Sequence, residues 1–348
     1  MRVVLADPPA YTPPYDHELA AALARAGAEV ELVTAPFRFG SRPVPQGYEL
    51  HETFYRHAMR RPALRLPLKA LDHPISMARL LRRPADLLHF QWLGAPEADV
   101  LLLRSRAPLV FTAHDLVPRR TARRTGLWRR LFARFDRVVV HSQRGRQTLE
   151  RLGVSPELFR VIPHPVFRSD PPRRDDGATV LALGVIRAYK GLPDAVAAVE
   201  RTPGARLLVA GDPRIPLDDA RRSAGKRAEW RLGYLDRAEI QRALSEATIA
   251  VFPYRDELDQ SGALLEALGA GVPAVVYDVG GLGEVVQGFG AGRVVAPGDV
   301  EGLSAAIAEL LGDSAALTAA RAGAERARRE LTWDAAAAAH LALYRELL

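Results

Sequence analysis

Short apolar runs alternate with helical stretches along almost the whole chain, and this alternation constrains the fold more than any other feature. RVVLAD (2–7) is followed by HELAAALARAG, which carries Leu19, Ala22 and Leu23 at helical spacing and stops at Gly27; EVELVT (29–34) comes next. Further strand-like runs are DLLHFQW (86–92), PLVFTAHD (108–115) and RVVVHS (137–142), with helical stretches near 97–105, 126–135 and 143–152. Repeated alternation of this kind predicts a parallel sheet with helices on both faces, through about residue 165.

The segment PHPVFRSDPPRRDDGA (163–178) breaks the pattern with four prolines and a cluster of charges, which is linker composition. A second series then begins: TVLALGVI (179–186), a helix near 193–200, ARLLVAG (205–211), AEWRLGY (228–234), a helix at 236–246, TIAVFPY (248–254), a helix at 262–269 and PAVVYD (273–278). The expected organisation is two doubly wound α/β domains, 1–165 and 166–330, and an Ala/Leu-rich closing helix within 331–348. A chain of 348 residues is long enough for two separate cores.

The absence of cysteine removes disulfides, thiolate catalysis and cysteine-ligated metals together. The apolar run in MRVVLADPPAY is too short for a secretory signal, and no uncharged apolar stretch approaches the ~18 residues of a membrane span. A soluble cytoplasmic protein is expected. The formal charge of +7 is unevenly divided, with 27 Lys and Arg against 16 Asp and Glu in residues 1–170, and 21 against 25 in the remainder. Basic faces attract nucleic acid, anionic lipid or phosphorylated ligands.

The basic excess concentrates in two segments. Residues 56–83 hold eight Lys and Arg and one acid, and 119–137 hold eight Arg and one acid. In the second, GLWRRLFARF places Trp128, Leu131, Phe132 and Phe135 on one helical face flanked by arginines. That pattern fits an interfacial helix on anionic lipid and, equally, a helix burying its aromatics in the first core. The aromatics do not interleave with the basic residues as a stacking platform would, so nucleic acid is not an expected partner.

Chemistry concentrates in two places. LGVIRAYKG (183–191) ends a strand-like run with Arg187 and Lys190. Ligands of open parallel sheets bind beyond the carboxyl ends of the strands, so two cations at that mouth fit an anion; as isolated residues they fit solvated loop charges as well. In DQSGALLEALGAGVPAVV (259–276), Ser261 is a candidate N-cap, Gly262 opens the helix without a side chain, and Leu264, Leu265 and Leu268 form its apolar face. Such a helix start is either an ordinary cap or an anion site. Glu266, one turn in, repels phosphate but can accept hydrogen bonds from vicinal hydroxyls, as an acid does on ribose in dinucleotide sites. Phosphate with ribose means a nucleotide. His114 fits a functional group or a satisfied core histidine, His164 reads as structural, and GGLGE (280–284) reads as a tight loop entering a helix.

IRAYKG (186–191), LLVAGDP (207–213), LGYL (232–235), VFPYRDELDQSGALLEALGAGVPAVV (251–276) and VGGLGEVV (279–286), with TAHD (112–115) and VIPHPV (161–166) upstream, follow one another in a specific order and spacing. In these pieces the chain resembles the retaining GT-B glycosyltransferases of family 4, most strongly over 179–290 and thinly over 36–85. The resemblance implies two Rossmann-like domains facing a cleft, a nucleotide-diphosphate sugar on the second, an acceptor on the first, and a C-terminal helix crossing back to the N-terminal domain. It implies that Lys190 binds the donor diphosphate with the backbone amides of Ser261 and Gly262, that Glu266 holds the ribose, and that His114 faces the donor sugar near the reacting carbon. Gly184, Tyr234, Tyr254 and Leu265 fall in the implied donor site.

Three departures qualify that pattern. Val185 stands where many members carry arginine, which leaves Arg187 to supply the charge. Leu258 replaces the first glutamate of the family's E-x7-E pair, and either Glu257 or Asp259 beside it is placed for the sugar hydroxyls. PPAYTPPYDHE (8–18) replaces the Gly-Gly loop after the first strand.

The function expected from the resemblance is retaining, metal-independent hexosyl transfer from a nucleotide-diphosphate sugar to a hydroxyl acceptor. Attack comes from the same face, and the leaving phosphate takes the acceptor's proton. Arg187 and Lys190 stand in for a metal's charge, and no cofactor is needed. If the basic face is interfacial, the acceptor is lipid-linked or a cell-envelope glycan, and the protein contacts the inner membrane peripherally. A nucleotide-sugar 2-epimerase on the same fold and a non-catalytic nucleotide-sugar binder are the alternatives, the latter kept open by Val185 and Leu258.

Overall fold

The computed structural model describes every residue except 38–42, 57, 59–64, 119–120, 122 and 257. The chain divides into two units, Met1–Pro163 together with Trp333–Leu348, and His164–Thr332.

The first unit is built on a parallel sheet of β1 (Arg2–Asp7), β2 (Glu29–Thr34), β3 (Glu49–Glu52), β4 (Leu87–Phe90), β5 (Leu109–Thr112), β6 (Arg137–Val140) and β7 (Phe159–Val161), in the spatial order β3-β2-β1-β4-β5-β6-β7. Helices α1 (Pro13–Arg25), α2 (Arg65–Leu81), α3 (Pro96–Leu102), α4 (Thr125–Phe132) and α5 (Gln143–Arg151) fall between them. Val3 to Ala6 and Val138 to Val140 are fully buried, because a parallel sheet covered on both faces takes continuous apolar strands.

EVELVT reads as alternating, yet Glu31 is buried with its apolar neighbours. Burial raises the pKa of this carboxyl, but Arg2 and Arg83 pair with it and outweigh burial, holding it below the ordinary range. Trp128, Leu131 and Phe132 of α4 are buried together with Phe135, and the Trp128 indole donates to Thr121 Oγ1 at 2.9 Å. The aromatic face of GLWRRLFARF thus belongs to the first core, which overturns the interfacial reading of that helix.

The second unit carries a parallel sheet of β8 (Thr179–Leu183), β9 (Arg206–Gly211), β10 (Ala228–Leu232), β11 (Ile249–Phe252), β12 (Ala274–Tyr277) and β13 (Gly292–Val295), in the order β10-β9-β8-β11-β12-β13. Its helices are α6 (Leu192–Glu200), α7 (Asp218–Ala224), α8 (Arg237–Glu246), α9 (Gly262–Gly269), α10 (Gly281–Phe289), α11 (Val300–Gly312) and α12 (Ser314–Glu330). Strand order reverses at β8, which makes the carboxyl ends of β8 and β11 the switch point where ligands bind such sheets. The proline-rich stretch after residue 163 has no regular structure but is pinned to this unit, with Val166 N donating to Leu331 O and Ser169 N to Gly269 O.

The last helix, α13 (Trp333–Arg345), belongs to the first unit. Tyr344 OH lies 2.6 Å from His89 Nδ1, Arg25 pairs with Asp334, and Arg160 with Glu346. His89 and His340 are fully buried, and burial lowers the pKa of both, His340 to about 4.

Candidate functional site

At the carboxyl edge of the second sheet the chain leaves β8 through Gly184, forms a single turn over Ala188–Lys190, and enters α6 through Gly191. Gly191 has φ +66°, and a Cβ there would stand 1.9 Å from the Pro253 carbonyl oxygen. Only glycine lets this loop close on the end of β11. The closure delivers Lys190, whose Nζ lies 4.9 Å from the centre of the Tyr254 ring and 3.3 Å from where a Gly184 side chain would begin. Glycine at 184 therefore leaves open the space beside which the ammonium sits.

Tyr254 is buried, which raises its pKa, and its hydroxyl lies 3.0 Å from Ser261 Oγ. Ser261 caps α9 through a hydrogen bond from Leu264 N, while its own amide donates to Gln260 Oε1 at 3.1 Å. A continuous series results: ammonium over ring, ring hydroxyl to cap, cap to helix start. A cation and the positive end of a helix dipole converge here, the arrangement that holds an anion.

Glu266 sits one turn into α9, mostly shielded, and Arg237 Nη1 donates to both of its oxygens at 2.8 and 3.0 Å. The carboxylate thus has an intramolecular partner that sequence reasoning did not find. Arg237 opens α8 behind an Asp236–Glu239 capping box, and no local spacing relates 237 to 266.

The other expected donor residues are not gathered equally. Arg187 is exposed beside the half-exposed Val185, and Tyr234 stands 54% exposed just past the end of β10. Leu265 is fully buried, so its side chain fastens α9 to the core and does not face a ligand. Glu257 lies outside the described residues. Asp259 is fully buried, and its carbonyl accepts from Gly281 N. Leu258 is also buried, with its carbonyl oxygen 1.7 Å from where a Gly280 Cβ would be. Gly280 thus accommodates the close approach of Leu258, and at Gly283 a Cβ would stand 2.3 Å from Asp278 Oδ1, which accounts for both glycines structurally. A concavity of about 310 Å³ lies at the opposite edge of the sheet among Arg174, Asp176, Arg206 and Glu246. It is away from the switch point.

In the first unit, the carboxyl edge gathers a polar and aromatic cluster around His114. His114 Nε2 lies 3.0 Å from Gln91 Oε1, and its Nδ1 lies 3.4 Å from His141 Nε2. His141 Nδ1 donates to the Ile162 carbonyl at 2.9 Å, which fixes the orientation of its ring. The ring stacks on Trp92 and meets the edge of Tyr15, with centroids 5.5 and 4.6 Å apart. His164, expected to be structural, is buried with Nδ1 2.7 Å from the Pro165 carbonyl.

The proline-rich loop conceals a buried carboxyl pair. Asp7 ends β1 and accepts from the amides of Tyr11 and Thr12 at 2.7 and 3.1 Å through Oδ2, while Asp16 of α1 lies against it. Burial lifts Asp7 to about 6; burial and then the charge of Asp7 lift Asp16 well above the carboxylate range. Asp7 Oδ1 is buried and has no hydrogen-bond partner among the described residues. Both groups bind protons more tightly folded than unfolded. Their stabilisation is therefore complete below about pH 4 and is lost as pH rises through the folded values. Asp16→Asn supplies a permanent donor. Its thermal midpoint relative to the parent is expected to be higher at about pH 7.5 than at about pH 4.5. Equal differences at the two pH values would show that the pair does not titrate in this way.

Comparison with known proteins bears on both units. Residues 15–168 match the family model "Glycosyltransferase Family 4" and residues 177–313 match "Glycosyl transferases group 1". A glycogen synthase of Mycobacterium tuberculosis is 37% identical over 179 residues, 49% of this chain and 43% of that protein. The chain therefore matches under half the length of that relative. A phosphatidyl-myo-inositol mannosyltransferase of Mycolicibacterium smegmatis is 29% identical over 244 residues, 66% of this chain and 62% of the relative. Among solved structures, sucrose-phosphate synthase from Thermosynechococcus elongatus superposes with a TM-score of 0.76 at 23% identity, covering 100% of this chain and 99% of the other. That likeness shows a shared GT-B architecture.

Proposed function

The chain belongs to glycosyltransferase family 4, and we propose that it transfers a sugar from a nucleotide-diphosphate sugar to a hydroxyl acceptor with retention of configuration, the second unit binding the donor. The observation that carries this reading is the Lys190–Tyr254–Ser261 series, which sets an ammonium beside the start of α9. Breaking a glycosyl phosphate bond leaves an oxocarbenium-like sugar and a diphosphate that gains negative charge. A cation and amide dipoles fixed in advance stabilise that charge as it develops.

In this reading Glu266 binds the ribose hydroxyls. The hydrogen bonds from Arg237 orient its carboxylate, whose remaining lone pairs can accept hydroxyl hydrogens. Lys190, with Arg187 near the same mouth, supplies the charge a metal would otherwise bring, so transfer is metal-independent. Attack occurs on the face the phosphate leaves, with the phosphate taking the acceptor's proton. Similarity to a phosphatidyl-myo-inositol mannosyltransferase and the basic character of the first unit support a lipid-linked or cell-envelope acceptor at the inner membrane face.

The test is thermal stabilisation by UDP, GDP, ADP and TDP without divalent metal, on the parent and on Glu266→Ala. One diphosphate is expected to raise the midpoint of the parent, since a ligand at about 100 times its Kd adds roughly 2.7 kcal/mol. Glu266→Ala is expected to lose most of that gain while responding unchanged to inorganic pyrophosphate. Stabilisation by none of the four, or only with Mg²⁺, would refute the donor half of the proposal.

A further inference from the structure

We propose that the outward face of α2 docks the protein on an anionic lipid bilayer. The inward face of this helix is fixed. His73, Met77 and Leu80 are buried, and His73 is held from both ring nitrogens, with Nε2 2.6 Å from Asp99 Oδ1 and Nδ1 2.7 Å from Tyr55 OH. Asp99 in turn accepts from Ala95 N at the start of α3. These bonds set the rotation of α2 about its axis and determine which residues it shows to solvent.

The residues it shows are apolar. Leu71 and Ile75, one turn apart, are 67% and 53% exposed, and Pro67 and Pro74 on the same side are exposed with them. Exposed Arg79 and Arg82 follow in the same helical direction. The only acid in residues 56–83 is Asp72, against eight Lys and Arg. An aliphatic ridge bordered by arginines matches the headgroup boundary of a bilayer. Leucine and isoleucine enter the acyl edge while guanidinium groups extend to lipid phosphates.

The same features disfavour other occupants. A two-fold contact between copies would set this basic segment against itself. Two large aliphatic side chains also make a small core for a stable protein interface, which needs about 800 Å² from each partner. Shallow insertion into a headgroup layer requires no more than they provide. Among the described residues no single helix is long and apolar enough to cross a membrane, so this contact is a surface one. The inference rests on the proposed lipid-linked acceptor, for which it supplies the point of contact.

The experiment is co-sedimentation of the full chain with vesicles of phosphatidylcholine alone and of phosphatidylcholine mixed with phosphatidylglycerol. The chains compared are the parent, Leu71→Ser/Ile75→Ser and Arg79→Gln/Arg82→Gln. The parent is expected to bind the anionic vesicles and not the neutral ones. The aliphatic double variant is expected to bind roughly tenfold more weakly or worse, and the arginine variant to lose affinity together with much of its salt dependence. Each variant is checked for an unchanged thermal midpoint and unchanged nucleotide-induced stabilisation. Absence of binding by the parent, or undiminished binding by the aliphatic variant, overturns the proposal, as does a parent dimer in solution that the same variant dissociates. Absence of vesicle binding by the parent with its nucleotide stabilisation intact refutes the docking face alone; absence of nucleotide stabilisation in the parent refutes the donor reading instead.

Discussion

Lys190→Ala is expected to lower the rate of sugar transfer by roughly 10²- to 10³-fold, the loss that follows removal of one fixed group from a site where charge develops. The thermal midpoint without ligand should stay close to that of the parent. The side chain is only partly buried, and its contact with the Tyr254 ring is of the cation–π kind, worth about 0.5–2 kcal/mol. Lys190→Arg should recover little of the activity. Its planar fork must fit between Gly184, where an imagined Cβ would already stand 3.3 Å from the Lys190 ammonium, and the Tyr254 ring. Initial rates with the diphosphate sugar that stabilises the parent provide the measurement. Transfer within about threefold of the parent in Lys190→Ala would show that the helix start alone carries the phosphate, and the cation at the mouth of β8 would revert to a solvated loop charge.

What could be read from the sequence, and what could not, divides along physical lines. Strands buried on both faces, such as VVLA in β1 and VLAL in β8, announce themselves as continuous apolar runs. Helix α9 is bounded by a serine cap and a stop at Gly269, so its limits were legible too. The first unit was opaque over 36–85 because β3 is four half-exposed residues, ELHE, on the edge of the sheet, and α2 carries a proline and turns aliphatics outward. Helices α11 and α12 were not assigned from the sequence, although both pack against β13 and α11 also packs against β12. The pairs that define the sites are long-range, with Arg237 and Glu266 29 positions apart and the Asp7–Asp16 carboxyls hidden in a proline-rich loop. Leu265 shows the opposite failure: the motif that carries it marks a phosphate-binding helix, but that position is one of the helix's own core contacts.

His114→Ala tests the other half of the proposed reaction, because His114 belongs to the first unit whereas the proposed nucleotide contacts belong to the second. Its ring is fixed at four points, by Gln91, His141, Trp92 and Tyr15, so the imidazole is pre-positioned and does not have to be ordered during turnover. Removing a pre-positioned hydrogen-bonding group costs about 10²-fold when the group acts in the transition state. The expected result is therefore a fall of about that size in kcat with little change in KM for the donor, and an unchanged thermal shift with the preferred nucleoside diphosphate. Gln91→Leu is the companion variant. It leaves His114 in place but removes its partner at Nε2, so a smaller fall in kcat is expected. If His114→Ala turns over normally, the cluster is a satisfied core network and the transfer step relies on the donor phosphate alone. If it loses nucleotide stabilisation instead, His114 is a determinant of donor binding, and the assignment of donor and acceptor roles to the two units has to be redrawn.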